Sequence, residues 1–488
     1  MMADAQYVLL WTDALLFALL VVALWAIWHV RADEALRAAW LKVGQRPVGM
    51  VAAVLLSSFV FIGLVDSVHF RPALPPVEST ADAEVSAAAE TQAAASAVVY
   101  STEVLSALDA VLESLRLQTE KTYSAPFARV LYQRETIELA DGSQWRGFPP
   151  LQYGGAHLGA GVEGEQTQAV DIALRVSNGL ALAATVWLVL VGLLLVVLRA
   201  QSGERWSRVA ARLWRGQTRL AWRSVLITAG VVLALVALGM QLAPFYHVFG
   251  TDKVGQDVLY LALKSVRTAL IIGSITTLVM LPVALVLGIA SGYLGGWVDD
   301  VVQYIYTVLN AIPGVLLIAA AVLMMQVLID THPQWFDTAA QRSDARLLAL
   351  CFILGITSWT GLARLLRGET LKLRELEYVQ AARAFGVGTS AILRRHILPN
   401  LMHIVLIALV MDFSGLVLAE AVLSYVGIGV DPTTISFGTM INMARAELAR
   451  EPMVWWSLSA AFVFMFVLVL AANLFADVVR DAFDPRQN

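Results

Sequence analysis

"YVQAARAFGVGTSAILRRHILPN" runs from Tyr378 to Asn400, between two apolar stretches of membrane-spanning length. Arg383, Arg394, Arg395 and His396 make it polar and basic, and Gly386 and Gly388 interrupt it. Tyr378, Ala381, Ala382 and Phe385 recur at the spacing of one helix face, with Gln380 and Arg383 turned away from it. Gly386 is placed to end that helix, because a residue without Cβ enters the left-handed region at little cost. Thr389 or Ser390 is then available to cap a second short helix holding Ile392, Leu393 and His396, and Pro399 restricts the chain ahead of the next span. The stretch reads as helix, glycine break, helix, lying beside a membrane. Two roles suit such an element: docking into a groove of a soluble partner, or resting in the lipid interface.

The membrane is implied by composition. Of 488 residues 58% are hydrophobic and 15% charged, and the mean hydropathy is +0.70, well above soluble domains. The fold class is an all-α polytopic membrane protein. A hydrocarbon core about 30 Å thick needs roughly 20 apolar residues of helix. Nine stretches meet this, at about 8–30, 47–68, 178–199, 224–243, 266–290, 301–328, 347–363, 403–427 and 455–476. The first is expected to be a retained span, because no Lys or Arg precedes it as a signal peptide requires. The single cysteine, Cys351, excludes an intrachain disulfide and a cysteine-based metal site. A net charge of −4 with no basic tail gives no reason to expect nucleic acid as a partner.

Basic residues set the orientation. Residues 1–7 have none; Arg31, Arg37, Lys42 and Arg46 lie in the next loop, seven arginines run from Arg199 to Arg223, and seven Lys or Arg from Arg364 to Arg395. An outside N-terminus puts all three basic loops and the C-terminus in the cytoplasm; the opposite orientation exports them all.

Residues 69–177 then form a long extracytoplasmic insertion, expected to be a small α+β module acting as a structural cap. "PPVESTADAEVSAAAETQAAASA" reads as a linker or loose helix. Val104, Leu108, Val111, Leu112 and Leu115 recur at helical spacing. The short β-like runs around Asp141-Gly142 signal a hairpin.

With these elements on the page, "QAARAFGV" followed by "ILPN" resembles the EAA loop, the coupling-helix signature of permease subunits in binding-protein-dependent ABC importers, and most closely the dipeptide, oligopeptide and nickel group. "FGTDKVGQDVLYLALKSVRTAL" at Phe249–Leu270, "GYLGGWVDD" at Gly292–Asp300, "LAEAVLSYVGIGV" at Leu418–Val430 and the ending "ADVVRDAFDPR" are similar to the C-type subunits of that group. Two positions depart from the pattern: Gln380 stands where Glu is common, which removes a charge from the coupling motif, and Gln256 where Arg is commoner. The resemblance covers about residues 224–486, six of the nine spans, and leaves three N-terminal spans and the insertion unexplained. Hydropathy and charge make residues 1–68 two extra spans, 69–177 the insertion and 178–223 a third extra span with a basic linker, while the resemblance implies 224–488 as a six-helix permease core whose coupling loop occupies 364–402.

The resemblance further implies a bacterial inner-membrane protein, paired with a second permease subunit, two ATPase subunits and an extracytoplasmic substrate-binding protein, in contact with membrane lipids. Glu377, Tyr378, Gln380, Ala381, Ala382, Arg383, Phe385, Gly386 and Arg394 are the expected ATPase-coupling residues. No phosphate-binding G-x-x-x-x-G-K-[ST] occurs in the chain, so ATP and magnesium are expected in the partner subunits, with no cofactor here. No H-E-x-x-H, G-x-S-x-G or metal-spaced Cys/His cluster occurs, and the chain is expected not to be an enzyme.

Asp412 and Glu420, both in the eighth span, are the clearest ionisable residues within spans. They serve either a translocation pathway or polar contacts between helices, and polar packing is the expectation for Glu420. Asp252 and Asp257, flanking Gly255, read as helix caps rather than cation ligands. Gly292, Gly295 and Gly296 read as a tight turn, and Pro282 and Pro313 as fixed bends within spans. An ion-gradient-driven secondary transporter using Asp412 and Glu420 is the alternative class.

Overall fold

The computed structural model describes residues 5–32, 34–74, 100–138, 144–159 and 162–483. The linker-like stretch before Tyr100, the Asp141-Gly142 turn and the last five residues lie outside them. Among the described residues nine helices are long and apolar enough to cross a membrane.

The helices are α1 (Trp11–Ala32), α2 (Glu34–Gln45), α3 (Pro47–Asp66), the short α4 (Ala107–Val111) and α5 (Glu113–Leu117), α6 (Val162–Ser202), α7 (Trp206–Trp214), α8 (Trp222–Leu242) and α9 (Val258–Leu294). They continue with α10 (Gly296–Ala311), α11 (Gly314–Thr331), α12 (Ala339–Arg374), α13 (Glu377–Ala384), α14 (Thr389–Ile392), α15 (Leu398–Val426), α16 (Phe437–Glu447) and α17 (Trp456–Phe483).

The sixth apolar stretch is two helices rather than one bent span. Ile312 is extended and Pro313 N-caps α11, so α10 stops at Ala311. Proline has no N–H to donate and disfavours helix in the residue before it, which ends α10 instead of bending it. Pro282, by contrast, lies within the unbroken α9.

The most buried span is α9, and α12 packs along it. The sequence makes this possible by omitting side chains. A Cβ on Gly288 would stand 2.7 Å from the Ala363 carbonyl oxygen, one on Gly292 2.7 Å from Thr370 Cβ, and one on Gly355 2.7 Å from Val279. The spacing of Gly288 and Gly292 is the small-residue pattern that lets membrane helices approach closely. α3 packs on α9 and α17, α1 on α9 and α12, and α6 pairs with α8.

A polar network joins the heads of four helices. Lys264 pairs with Asp66 (2.8 Å) and Asp109 (3.0 Å), Arg267 with Asp13 (2.5 Å), and His69 with Asp13 (2.7 Å). The Thr12 N–H donates to Asp344 (3.2 Å) and the Tyr260 hydroxyl to Asp109 (2.8 Å). The beginnings of α1, α9 and α12 and the end of α3 therefore share one face with the insertion, and the three basic loops share the opposite one.

The insertion is built on strands. β1 (Gln6–Val8), β2 (His69–Arg71) and β3 (Leu105–Ser106) form one antiparallel sheet, and β4 (Glu135–Glu138) pairs with β5 (Gln144–Gly147) as the hairpin that Asp141-Gly142 signals. The helical run expected from Val104 to Leu115 starts only at Ala107, after β3, and breaks at Leu112, whose backbone (φ −98°, ψ 24°) leaves the helical region; Leu108 and Leu115 are buried and Val111 is exposed.

The insertion is interleaved with residues 245–257. Glu120 N–H donates to Gly255 O (2.9 Å), Phe127 N–H to His247 O (3.0 Å), and Gly155 N–H to Phe245 O (2.8 Å). The Glu120 carboxylate accepts from the N–H groups of Gln152 (2.9 Å), Tyr153 (2.8 Å) and Gly154 (3.2 Å). His247 lies between Asp257 (2.8 Å) and Glu120 (3.4 Å), all three buried. Asp257 also caps α9, accepting from Leu259 and Tyr260 N–H, while Asp252 accepts from Val254 and Gln256 N–H (2.9 and 2.8 Å). Both aspartates are occupied as caps and turn acceptors.

Candidate functional site: the glycine-hinged loop

Helix α12 runs into α13 with only Glu375 and Leu376 between them. The C-terminal end of α13 is a Schellman motif: Gly386 has φ +77°, its N–H donates to Arg383 O (3.0 Å), and Val387 N–H donates to Ala382 O (3.1 Å). A Cβ on Gly386 would meet nothing within 4 Å, so glycine is required there by backbone conformation and not by space.

The second half differs from the capped helix expected of Thr389 or Ser390. Gly388 occupies the N-cap without any side-chain bond. α14 passes through a π turn at Leu393–Ile397 directly into α15, with Pro399 in its first turn, where a missing N–H costs nothing. The loop is thus continuous with a span on one side and two residues from a span on the other.

The faces of α13 also sort differently from the sequence pattern. Val379 is buried, in one cluster with Ile392, Ile397, Ala284 of α9 and Trp359 of α12, and Ala382 packs against that cluster. Tyr378 (44% exposed) and Phe385 (88% exposed) face outward with Ala381, Gln380 and Arg383. Burial follows the i, i+3 pair Val379 and Ala382 because the core meets α13 along that line. Glu377 lies exposed in the first turn of α13, where a carboxylate suits the helix dipole, and Arg394 is exposed on the π turn.

Hydrogen bonds fix the loop's shape. Asn400 donates to Tyr378 Oη (3.2 Å) and to His396 O (2.7 Å), and the Tyr378 and His396 rings lie 5.8 Å apart. Gln380 donates to the Glu375 carbonyl (3.1 Å) and carboxylate (3.3 Å). Gln380 therefore closes the α12–α13 junction, a local role that needs no charge.

One contact at this site was not legible in the sequence. Arg367 of α12 grips Asp299 of α10 with two bonds, Nε to Oδ1 (2.6 Å) and an Nη to Oδ2 (2.7 Å). The Arg367 hydrogen bond holds the Asp299 carboxyl below the usual carboxylate range. Gly295 (φ +64°) and Gly296 (φ +56°) make the turn that aims Asp299 at Arg367. The glycines were the available signal; the partner, 68 residues on, was not.

Inside the bundle the two acidic residues separate. Glu420 is buried and accepts from Ser424 Oγ (2.6 Å) and Ser436 Oγ (3.0 Å), which makes it a contact between α15 and the start of α16. Asp412 is half-buried. No group of three or more His, Cys, Asp or Glu able to hold a metal occurs among the described residues.

Residues 284–488 match the family described as "Binding-protein-dependent transport system inner membrane component". The chain is 32% identical over 239 residues to the oligopeptide transport system permease protein OppC of Mycobacterium tuberculosis, covering 49% of this chain and 76% of that protein. It is 33% identical over 240 residues to the glutathione transport system permease protein GsiD of Pectobacterium atrosepticum, covering 49% and 73%. To the dipeptide transport system permease protein DppC of Lactococcus lactis it is 32% identical over 240 residues, covering 49% and 64%.

Proposed function

From the premise that this chain belongs to the binding-protein-dependent transport system inner membrane components, we propose that it forms half of the translocation pathway of an ATP-driven peptide importer. It is a multi-pass inner-membrane permease subunit, and the ATP-hydrolysing and substrate-capturing steps belong to other chains. The relatives named for oligopeptides, dipeptides and glutathione support a peptide or peptide-like substrate. A second, homologous permease completes the pathway as a heterodimer; two ATPases, carrying ATP and magnesium, bind the basic face; a binding protein approaches the insertion face. On this reading the N-terminus lies outside and the coupling loop in the cytoplasm, which the distribution of Lys and Arg supports.

One observation carries the reading: a hinged helix exposes Phe385 at 88% and is joined to a span at each end. An aromatic ring that exposed, among small residues and beside Arg383 and Arg394, fits a groove on a soluble partner. Closure of the ATPases would push this element and, through α12 and α15, rock the bundle between inward-open and outward-open states. The ion-gradient alternative is weakened because Glu420 is already engaged by two serines.

The test uses the assembled transporter. Phe385→Ala should leave the chain inserted and the binding protein attached, while ATPase subunits dissociate during purification or lose stimulation by substrate-loaded binding protein. Arg394→Cys, in a chain whose only other cysteine is buried, should react with membrane-impermeant thiol reagents only from the cytoplasmic side. Retention of full coupling by the Phe385 variant, or labelling from outside, would overturn the proposal.

A further inference from the structure

The basic linker between α6 and α8 takes no part in the coupling loop. Residues 199–223 hold seven arginines and one acidic residue, Glu204, which pairs with Arg212 (2.8 Å). Within this linker α7 is strongly two-faced. Val209 and Leu213 are buried, Leu213 in a cluster with Val191 of α6 and Leu226 of α8. Arg205, Arg208, Arg212 and Arg215 are all exposed on the other side. The apolar face is thus already engaged within the chain, and what remains open is guanidinium.

Position narrows the partner. α6 is a membrane span whose last turn carries Arg199, and α7 begins four residues after α6 ends, past Gly203 with φ +68°. Arg199 lies over the Trp206 ring at 4.6 Å. Trp206 and Trp214, at the two ends of α7, are 45% and 47% exposed, as expected where an amphipathic ring sits at the headgroup level. Past Gly216 (φ +69°), Ala221 N–H donates to Gly44 O (2.9 Å), which brings Arg219 and Arg223 to the same face as Arg46. The open guanidinium face lies at the membrane boundary, with tryptophans marking its ends.

We propose that α7 and its flanking arginines form a binding surface for anionic phospholipids. Arginine suits this better than lysine, because its planar fork binds two oxygens of one phosphate at once. Clusters of basic residues next to a membrane span bind anionic leaflets with about 1 kcal/mol per residue, or about fivefold in affinity. The buried Val209 and Leu213 leave charge, with the two tryptophans, as what this surface presents. The inference is independent of what the transporter carries.

The experiment is lipid retention by the purified assembly in micelles doped with phosphatidylglycerol or phosphatidylcholine, read by native mass spectrometry. The wild type should retain phosphatidylglycerol preferentially and lose it as salt rises from about 0.05 to about 0.5 M. The triple variant R208Q/R212Q/R215Q should bind phosphatidylglycerol roughly a hundredfold more weakly, while the matching lysine variant keeps most of the affinity. Because all three side chains are exposed, the glutamine variant should stay monodisperse; if it does not, the single variant R208Q, expected about fivefold weaker, and the salt series on the wild type decide. Equal retention of both lipids by the wild type, or an unchanged preference in the glutamine variants, overturns the proposal. So does loss of a protein subunit with lipid retention intact, which would make the surface a protein-docking site.

Discussion

Gly255 sits where the insertion meets the bundle, with φ +80° and the Glu120 carbonyl oxygen 1.8 Å from where a Cβ would stand. Gly255→Ala combines left-handed strain with a clash against backbone that cannot rotate away, and should lower stability by about 3 kcal/mol or more. Thermal unfolding of the purified protein measures it; an unchanged midpoint would mean that the insertion is not seated on this loop. Nearby, burial pushes the His247 imidazole down, but hydrogen bonds to Asp257 and Glu120 outweigh it and raise the pKa to about 9 from 6.5. A raised basic pKa contributes stability that is complete below about 6.5 and disappears as pH climbs through about 9, at most about 3 kcal/mol. Glu120 works in the opposite sense: burial raises it, but bonds from His247 and three backbone N–H groups prevail and lower it, so its contribution fades only in acid. The melting temperature should therefore fall between pH 6.5 and 9, and His247→Gln should be less stable but flat across that window. A slope that survives in the variant would assign the effect elsewhere. Asp257 was legible as a cap because its partners are two and three residues away; its second partner, His247, was not, since nothing in a sequence states which imidazole a buried carboxylate will meet.

Among the elements, the glycine-hinged loop between α12 and α15 separates two kinds of glycine. Gly386 and Gly388 both have open space around them, but only Gly386 has a left-handed backbone. Gly388→Ala should be silent in transport assays, whereas Gly386→Val should distort the end of α13 by about 1–2 kcal/mol of local strain and uncouple ATP hydrolysis from uptake with the chain still inserted. Equal behaviour of the two variants would remove the hinge from the mechanism. The π turn at Leu393–Ile397 supports a second prediction. Deleting the exposed Arg395 should restore an α-helical repeat and turn the loop by about 100° relative to α15, abolishing stimulated ATPase activity with little change in melting temperature. Legibility was uneven here for a physical reason. A glycine ending an amphipathic helix leaves a local mark, whereas a π turn costs one residue of phase and leaves none. The break at Pro313 was hidden because hydropathy averages across it, and α10 and α11 are both apolar.

At the scale of the whole molecule, two of the three N-terminal spans, α1 and α3, are held to α9 by charge as well as by apolar packing. Lys264 and Arg267 of α9 are the only basic side chains paired with Asp66, Asp109 and Asp13 in the described network, apart from His69. Removing one partner strands a buried carboxylate, so Lys264→Met should destabilise by roughly 3–5 kcal/mol, and adding Asp66→Asn and Asp109→Asn should restore much of the loss. Limited proteolysis of the N-terminal third, compared across these variants, measures it; a silent Lys264→Met would mean that packing alone holds the spans. The nine spans and the shared face of the basic loops were legible because hydropathy and the placement of arginine are local and additive. The network was not, because Lys264 meets partners 198 and 155 residues away. Gly288, Gly292 and Gly355 leave the backbones of α9 and α12 in direct contact, and the upper end of α9 is anchored beneath the insertion by Asp257. Two rods clasped so tightly have little room to slide, so under the proposed mechanism a stroke delivered at one surface would travel to the other. The outer canopy would tilt with every turnover, and a cargo carrier resting on it would receive a mechanical report of fuel burned on the far side of the bilayer.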